Sequence, residues 1–240
     1  MSSTWPEDLI SRIEDLDLVF TGMWSQPSRV GYGIFFYTPD MPNDIFFDKL
    51  AGITSLDAKA LEDALCMFAK FNTIPYIYVL PRPDLERTLL EGGMKMHDVQ
   101  RVLCKKPGGQ AQAPRRVGKQ ESIAWSEVFC KSYDCMEWKD AVTRVVQSTL
   151  NEIEYYLDES GTSCVALYAK NSLLGLYCLG TVPEARREGH AQALVDFATS
   201  EAGKRGLDLL VLETYERDGL GTFYARLGFD EVYRKKVYTT

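Results

Sequence analysis

From residue 121 onward the apolar positions change period several times, and each change marks an element. Residues 121–133 and 136–150 carry helical spacing, and in the second stretch Val142, Val145, Val146 and Thr149 share one face. Three strand-like runs follow, at 153–157, 163–169 and 173–182. The turns Asp158-Glu-Ser-Gly161 and Lys170-Asn-Ser172 separate them as hairpin connections do. A helix comes next, with Ala191, Leu194, Val195, Ala198 and Ala202 as its stripe and Lys204, Arg205 and Gly206 at its end, a basic last turn closed by glycine. Residues 207–213 form a continuous apolar run ending in a carboxylate, the pattern of a central strand covered on both faces. A short helix over 219–227 and a strand over 229–238 complete the block.

The first half repeats much of this order. Residues 30–37 and 45–50 are strand-like; Leu61, Ala64, Leu65 and Phe68 give a helical face; 74–80 is a buried strand, 84–91 a short helix, and a strand opens after Gly92-Gly-Met-Lys-Met and runs to Lys105. Thr88-Leu-Leu-Glu-Gly-Gly-Met-Lys-Met and Phe223-Tyr-Ala-Arg-Leu-Gly-Phe-Asp-Glu share one plan: short helix, glycine, large apolar residue, strand. We read a weak internal repeat of one mixed α/β unit, against the simpler alternative of two unrelated α/β pieces. Lys105-Lys-Pro-Gly-Gly-Gln-Ala-Gln-Ala-Pro-Arg-Arg-Val-Gly118 lacks an apolar period and reads as a linker. The expected organisation is a first unit over 1–106, a linker over 107–119 and a second unit over 120–240.

Composition narrows the partners. The 240 residues are 45% hydrophobic and 25% charged with a formal net charge of −7, so the chain can bury a sizeable core and lacks the basic excess of a broad nucleic-acid footprint. No run approaches membrane-spanning length, and Met1-Ser-Ser-Thr-Trp-Pro-Glu-Asp is not a signal sequence. Six cysteines without a CxxC pair and two distant histidines, His97 and His190, argue for free thiols in a reducing compartment and against a metal site. The expectation is a cytoplasmic protein that binds neither nucleic acid, membrane nor metal. A homodimer is left open.

The chemistry concentrates at Arg186-Arg-Glu-Gly-His-Ala191, between a strand and an amphipathic helix. A helix start offers unpaired N–H groups and partial positive charge, which suit a phosphate. Gly189 permits close backbone approach, small Ala191 lets the first turn pack, and Arg186 and Arg187 add cationic side chains.

The run Gly175-Leu-Tyr-Cys-Leu-Gly-Thr-Val-Pro-Glu-Ala-Arg-Arg-Glu-Gly-His-Ala-Gln-Ala-Leu194 resembles the coenzyme A motif of GNAT acyltransferases, (Gln/Arg)-x-x-Gly-x-(Gly/Ala), and Phe223-Tyr-Ala-Arg-Leu-Gly-Phe229 resembles that family's tyrosine and glycine-aromatic signature. The likeness covers about residues 120–240. It implies an α/β mixed sheet with the acyl-CoA N-acyltransferase (GNAT) fold, here as two tandem GNAT-like units, and acetyl-CoA as co-substrate. In the family the strand before the loop splays from its neighbour and pairs with the pantetheine arm. By position, Leu179 and Thr181 would supply main-chain contacts to that arm, and Arg187, Glu188, Gly189, His190 and Ala191 would turn N–H groups to the pyrophosphate. His190 departs from the small aliphatic residue usual at that place and reads as a solvated loop residue.

Acyl transfer from a thioester to an amine requires a base for the amine, a donor for the tetrahedral oxyanion and a proton for the leaving thiolate. Tyr224 stands where the family often carries its general acid, with a packing role as the alternative. Glu213, at the end of the run beside the splayed strand, is the base candidate; Glu152 and Glu154 are others, and a water chain is the alternative to all three. Cys178 lies on the splayed strand without features that activate a thiol. The resemblance implies an oxyanion donor among the main-chain N–H groups near Leu179 and direct attack in a ternary complex.

The first half lacks this chemistry. Its counterpart of the loop is Gly52-Ile-Thr-Ser-Leu-Asp57, a helix cap without the motif, and Leu89 replaces Tyr224. Gly33-Ile-Phe-Phe-Tyr37 and Trp24 are read as core, or as the wall of a pocket for an apolar amine. A degenerate half joined to a complete one is similar to glycine N-acyltransferase-like proteins and some two-domain bacterial acetyltransferases. The leading expectation is an N-acetyltransferase for a primary amine of a small molecule or amino-acid-like acceptor. The alternatives are a protein lysine or N-terminal acetyltransferase and a non-catalytic acyl-CoA-binding module.

Overall fold

A stripe of Leu9, Ile13, Leu16, Phe20 and Trp24, spaced by three or four residues, forms the buried face of the first helix in a computed structural model that describes residues 5–6 and 8–240. The first half runs α1 (Leu9–Trp24), β1 (Gln26–Val30), β2 (Gly33–Tyr37), β3 (Lys49–Ala51), α2 (Ala58–Phe71), β4 (Ile77–Val79), α3 (Pro83–Glu91) and β5 (Lys95–Lys105). The second runs β6 (Arg115–Arg116), α4 (Ser122–Tyr133), α5 (Lys139–Thr149), β7 (Glu154–Leu157), β8 (Ser163–Lys170), β9 (Leu173–Thr181), α6 (His190–Lys204), β10 (Leu209–Tyr215), α7 (Gly221–Arg226) and β11 (Asp230–Thr239). Helix, three strands, helix, strand, short helix, long strand: the order occurs twice, as the internal repeat predicts.

The chain forms two compact units, but they are not two consecutive halves. One comprises the residues up to Leu103 with Glu213–Arg226 and Glu231–Thr240; the other comprises Cys104–Leu212 with Leu227–Asp230. The last strand of the second repeat therefore belongs to the first unit, where β11 pairs antiparallel with β4 (Lys236 with Val79, Val237 with Tyr78, Tyr238 with Ile77). Part of the expected linker is also ordered as sheet: Arg115 and Arg116 pair with Leu157 and Tyr156 of β7, and Val117 beyond them is buried.

In the first unit, β1 and β2 form a hairpin where the sequence suggests one strand over 30–37, turned at Gly31-Tyr32. Residues 45–47, expected in a strand, instead follow a turn in which Asp44 Oδ1 accepts from the N–H of Phe46 and of Phe47 (2.8 and 2.9 Å). An aspartate that bonds the backbone two and three residues ahead competes with the extended ladder, and here it wins. Asp57 caps α2 through Ala60 N (2.8 Å), and α2 and α3 close over Phe35, Leu50, Ile77 and Val79. A Cβ at Gly92 would lie 2.3 Å from Leu61 Cδ2 and 3.2 Å from Thr88 O, so a larger residue there would displace the buried Leu61 side chain.

The far face of this sheet carries a buried charge cluster. Lys49 and Lys235 lie 3.3 and 3.1 Å from Asp17 Oδ2, and Lys235 also reaches Glu14 Oε1 (3.1 Å) and Glu213 Oε1 (2.8 Å). Burial raises the proton affinity of Asp17, but the two ammonium groups outweigh it and hold the carboxyl below its ordinary range.

In the second unit, β7, β8 and β9 form an antiparallel meander, and β10 adds parallel to β9. The α4–α5 pair lies on this sheet: Trp125 Nε1 donates to Val165 O (3.3 Å), and Thr149 Oγ1 and Tyr155 OH share a hydrogen bond (2.7 Å). Among the described residues no helix is long and apolar enough to cross a membrane. Asp17→Ala, which strands Lys49 in a dry site and takes one of three carboxylates from Lys235, is expected to cost about 3–5 kcal/mol of stability. Urea denaturation measures it, and a loss below about 1 kcal/mol would contradict the cluster's structural role.

Candidate acyl-donor site

The site is built where a sheet strand loses its neighbour. β9 pairs with β10 through only three residue pairs, Leu173 with Leu209, Leu174 with Leu210 and Gly175 with Val211, and then continues six residues to Thr181. On its other side β9 stays with β8 to the end, except at a bulge. Tyr177 pairs with Ala166 and Gly180 with Cys164, so Cys178 and Leu179 together oppose Val165, and Cys178 sits at φ +54°. A bulge of this kind bends a strand and re-aims its peptide groups.

The bulge is clamped by the end of α4. Tyr133 OH donates to Leu179 O (3.0 Å), and Gly180 is needed because a Cβ there would meet Ser132 Cβ at 2.7 Å. Arg186 completes the clamp, with Nε donating to Thr181 O (3.2 Å) and Nη2 to Ser132 O (2.9 Å). Its guanidinium is thus engaged with carbonyls that fix the exit of β9, a positioning role the sequence reading did not give it.

Past Thr181 the chain makes a single tight turn over Pro183–Ala185, reaches Arg187 at φ +70° and Gly189 at φ +93°, and enters α6 at His190. Gly189 is the N-cap of α6, no side chain caps it, and beyond its chain neighbours nothing lies within 4 Å of where its Cβ would stand. The helix thus begins with N–H groups and a positive dipole end that no side chain of its own satisfies. Glycine is needed for the left-handed backbone, not for lack of room. Arg187 and Glu188 are exposed and Ala191 half-buried at this end of the helix.

His190 is tied down. Its Nδ1 lies 2.8 Å from Asp158 Oδ2 and its Nε2 3.3 Å from Glu188 Oε2. Asp158 also accepts from the N–H groups of Thr162 and Ser163 (2.8 Å each) and from Ser160; these bonds outweigh its burial and hold its carboxyl below the ordinary range. His190 thereby anchors the head of α6 to the β7–β8 turn. The His190–Asp158, Tyr133–Leu179 and Arg186–Ser132 contacts leave no local sequence signal, because these partners lie 32 to 54 residues apart.

Glu213 and Tyr224 both lie in the first unit. Glu213 belongs to the buried charge cluster: burial first, then the neighbouring Asp17, push its carboxyl up to about 7 against the opposing pull of Lys235 and Lys49. Neither oxygen accepts an aligned hydrogen bond, although Lys235 Nζ stands within ion-pair distance. Tyr224 is 6% exposed, and burial with the nearby Asp218 pushes its phenol up to about 12. Glu154, another base candidate, is held by Arg205 through Oε1 (2.5 Å) and Oε2 (2.8 Å). Leu89, at the place of Tyr224 in the first repeat, is fully buried.

The donor set fits an extended ligand ending in a phosphate: a strand edge with free length, a bulge beside it, and an uncapped helix head at its close. No family model and no curated protein matches the chain. Solved structures do. A GCN5-related N-acetyltransferase from Kribbella flavida superposes with a TM-score of 0.69 at 18% identity, over 98% of this chain and 96% of that one. A GCN5-related N-acetyltransferase from Sphaerobacter thermophilus gives 0.64 at 13% identity, over 99% and 94%. A tandem GNAT protein from the clavulanic acid biosynthesis pathway gives 0.57 at 14% identity, over 94% and 87%. The chain has the GNAT fold, a mixed α/β architecture matched over nearly its whole length.

Stability should depend on pH through Glu213. Folded, its carboxyl titrates at about 7; unfolded, near the ordinary 4.5, so the folded state holds the proton more tightly and stability falls as pH rises from about 4.5 to about 7, then levels. Asp48, pushed up to about 6 by burial, adds a slope of the same sign. In Glu213→Gln the Glu213 share disappears, so melting temperatures of variant and native chain should diverge in the variant's favour across that window. A difference independent of pH would contradict the assignment.

Proposed function

We propose that the chain is an acyl-CoA-dependent N-acyltransferase, with acetyl-CoA as donor and a primary amine of a small molecule or amino-acid-like compound as acceptor. The observation that carries the reading is the early parting of β9 from β10, followed at once by the uncapped head of α6. In this reading the pantetheine arm pairs with the edge of β9 near Leu179 and Thr181. The amides of Arg187, Glu188, Gly189, His190 and Ala191 receive the pyrophosphate, Arg187 contributes charge, and Arg186 holds the exit of β9 in place. The donor serves as substrate, not as a resident group.

The amine nitrogen attacks the thioester carbonyl carbon directly. The C–N bond forms, the tetrahedral oxyanion is stabilised by an amide of the Cys178–Leu179 bulge, and the C–S bond then breaks. The nitrogen gives up a proton and the departing sulfur gains one. Glu213 is the proposed acceptor of the first proton; a carboxyl titrating at about 7 is matched to base work near neutral pH. Tyr224 is the proposed donor for the sulfur, its phenol remaining protonated at neutral pH.

A second reading is favoured by the burial of both groups: an acyl-CoA-binding module without turnover. The two readings separate in solution. Gly189→Val forces a β-branched residue to a φ that disfavours it, about 1–3 kcal/mol of strain, and should weaken coenzyme A binding by calorimetry at least about tenfold under either reading. Thiol release with a panel of amines should occur only under the first, and Tyr224→Phe should then lower kcat by about 10²–10⁴ with little change in KM for the donor. Undiminished turnover would remove Tyr224 from the mechanism, and tight binding without any turnover would establish the module.

A further inference from the structure

The first unit contains a cavity of about 990 Å³ that the acyl-donor site does not use. It lies between α1 and the sheet. Ile34 and Phe36 of β2, Ala51 at the end of β3 and Leu80 beyond β4 make an apolar floor, and Leu18 and Val19 of α1 an apolar roof. The charged residues of the lining are Glu14 and Asp15 of α1, Arg29 of β1 and Lys235 of β11, and of these Glu14 and Lys235 belong to the buried charge cluster.

That cluster is unbalanced. Glu14, Asp17 and Glu213 face only two ammonium groups, Lys49 and Lys235. Lys235 already lies within 3.1 Å of all three carboxylates, so it has no charge to offer a further anion. Lys49 is turned to Asp17 and to the rings of Phe46 and Tyr78, at 4.2 and 5.0 Å. The raised proton affinity of Glu213 is the expected symptom of one negative charge too many in a dry site. Of the three carboxylates only Glu14 lines the cavity. Its contacts from Lys235 and Tyr233 both go to Oε1, which leaves Oε2 without a protein partner among the described residues.

We infer that the cavity beneath α1 binds a primary amine carrying an apolar or aromatic body, with the ammonium group on Glu14 and the body between Leu18, Val19, Ile34 and Phe36. The third cation brings the cluster to charge balance, and the body removes apolar wall from water. Beside Glu14 a carboxylate ligand is disfavoured, because it would add a fourth anion around Lys235; the other cation of the lining, Arg29, is exposed on β1. Binding needs no acyl donor. Only the further statement that such an amine is the acceptor rests on the acyltransferase reading, and it narrows the acceptor to apolar amines.

The full chain, without acyl-CoA, is titrated by calorimetry with 2-phenylethylamine, 2-phenylethanol and phenylacetate, and with hexylamine, hexanol and hexanoate. The amines are expected to bind saturably at one site, at least about tenfold more tightly than the alcohols, with the acids showing no binding. Glu14→Gln keeps the side-chain shape and should weaken amine binding at least about tenfold while leaving alcohol binding unchanged. Val19→Phe, filling the roof, should abolish binding of both, with an unchanged far-UV spectrum confirming its fold. Acids binding as well as amines, amine affinity indifferent to Glu14→Gln, or no saturable binding of either amine would each overturn the inference. Gly189→Val should leave amine binding intact, so loss of donor binding and loss of this site register separately.

Discussion

The functional reading depends on a strand that gives up half of its ladder. Backbone N–H and C=O groups inside a sheet are obligatory hydrogen-bonding groups, and a strand that leaves its neighbour must find other partners or face solvent. β9 does this from Leu176 onward, while it stays fully paired with β8 except at the Cys178–Leu179 bulge. The departure is stabilised from outside the sheet. Tyr133 and Arg186 bond Leu179 O and Thr181 O, and the second of these side chains also ties the end of α4 to the loop. An open edge is thereby held in a fixed shape, which is what recognition by an extended ligand requires.

The helix that follows is positioned by the same economy of means. Gly189 supplies the left-handed turn, His190 anchors the first turn to Asp158, and no side chain competes for the first amides. Histidine at this place therefore serves the geometry of the loop from its first helical position. The first unit contributes a different kind of order: a buried set of carboxylates and ammonium groups under α1, with Lys235 of the final strand at its centre.

Much of the second repeat was legible in the sequence because its elements are long and their periods clean. Each of its strands and helices lies within a few residues of the stretch its apolar pattern marks. The turn at 186–191 was legible for a related reason, since Gly189 and the flanking strand and helix are all local features. The first half was less so. The helix over Leu9–Trp24 left a plain stripe that period analysis could have found, whereas the turn at Asp44 defeats the apolar pattern of 45–50 through side-chain bonding to its own backbone. What no local pattern discloses is long-range pairing. That β11 closes the first unit, that Arg186 serves Ser132, and that Glu213 joins Asp17 and Lys235 depend on partners 22 to 196 residues apart.

The central claim is that the free edge of β9 and the head of α6 together receive one ligand. Backbone amide resonances of the isotopically labelled chain, followed during titration with coenzyme A, test it most directly. The account predicts that the largest shifts fall at residues 176–181 and 187–192, with the second group alone responding to 3′,5′-adenosine diphosphate. Shifts concentrated elsewhere, or none in either segment at saturating coenzyme A, would contradict it.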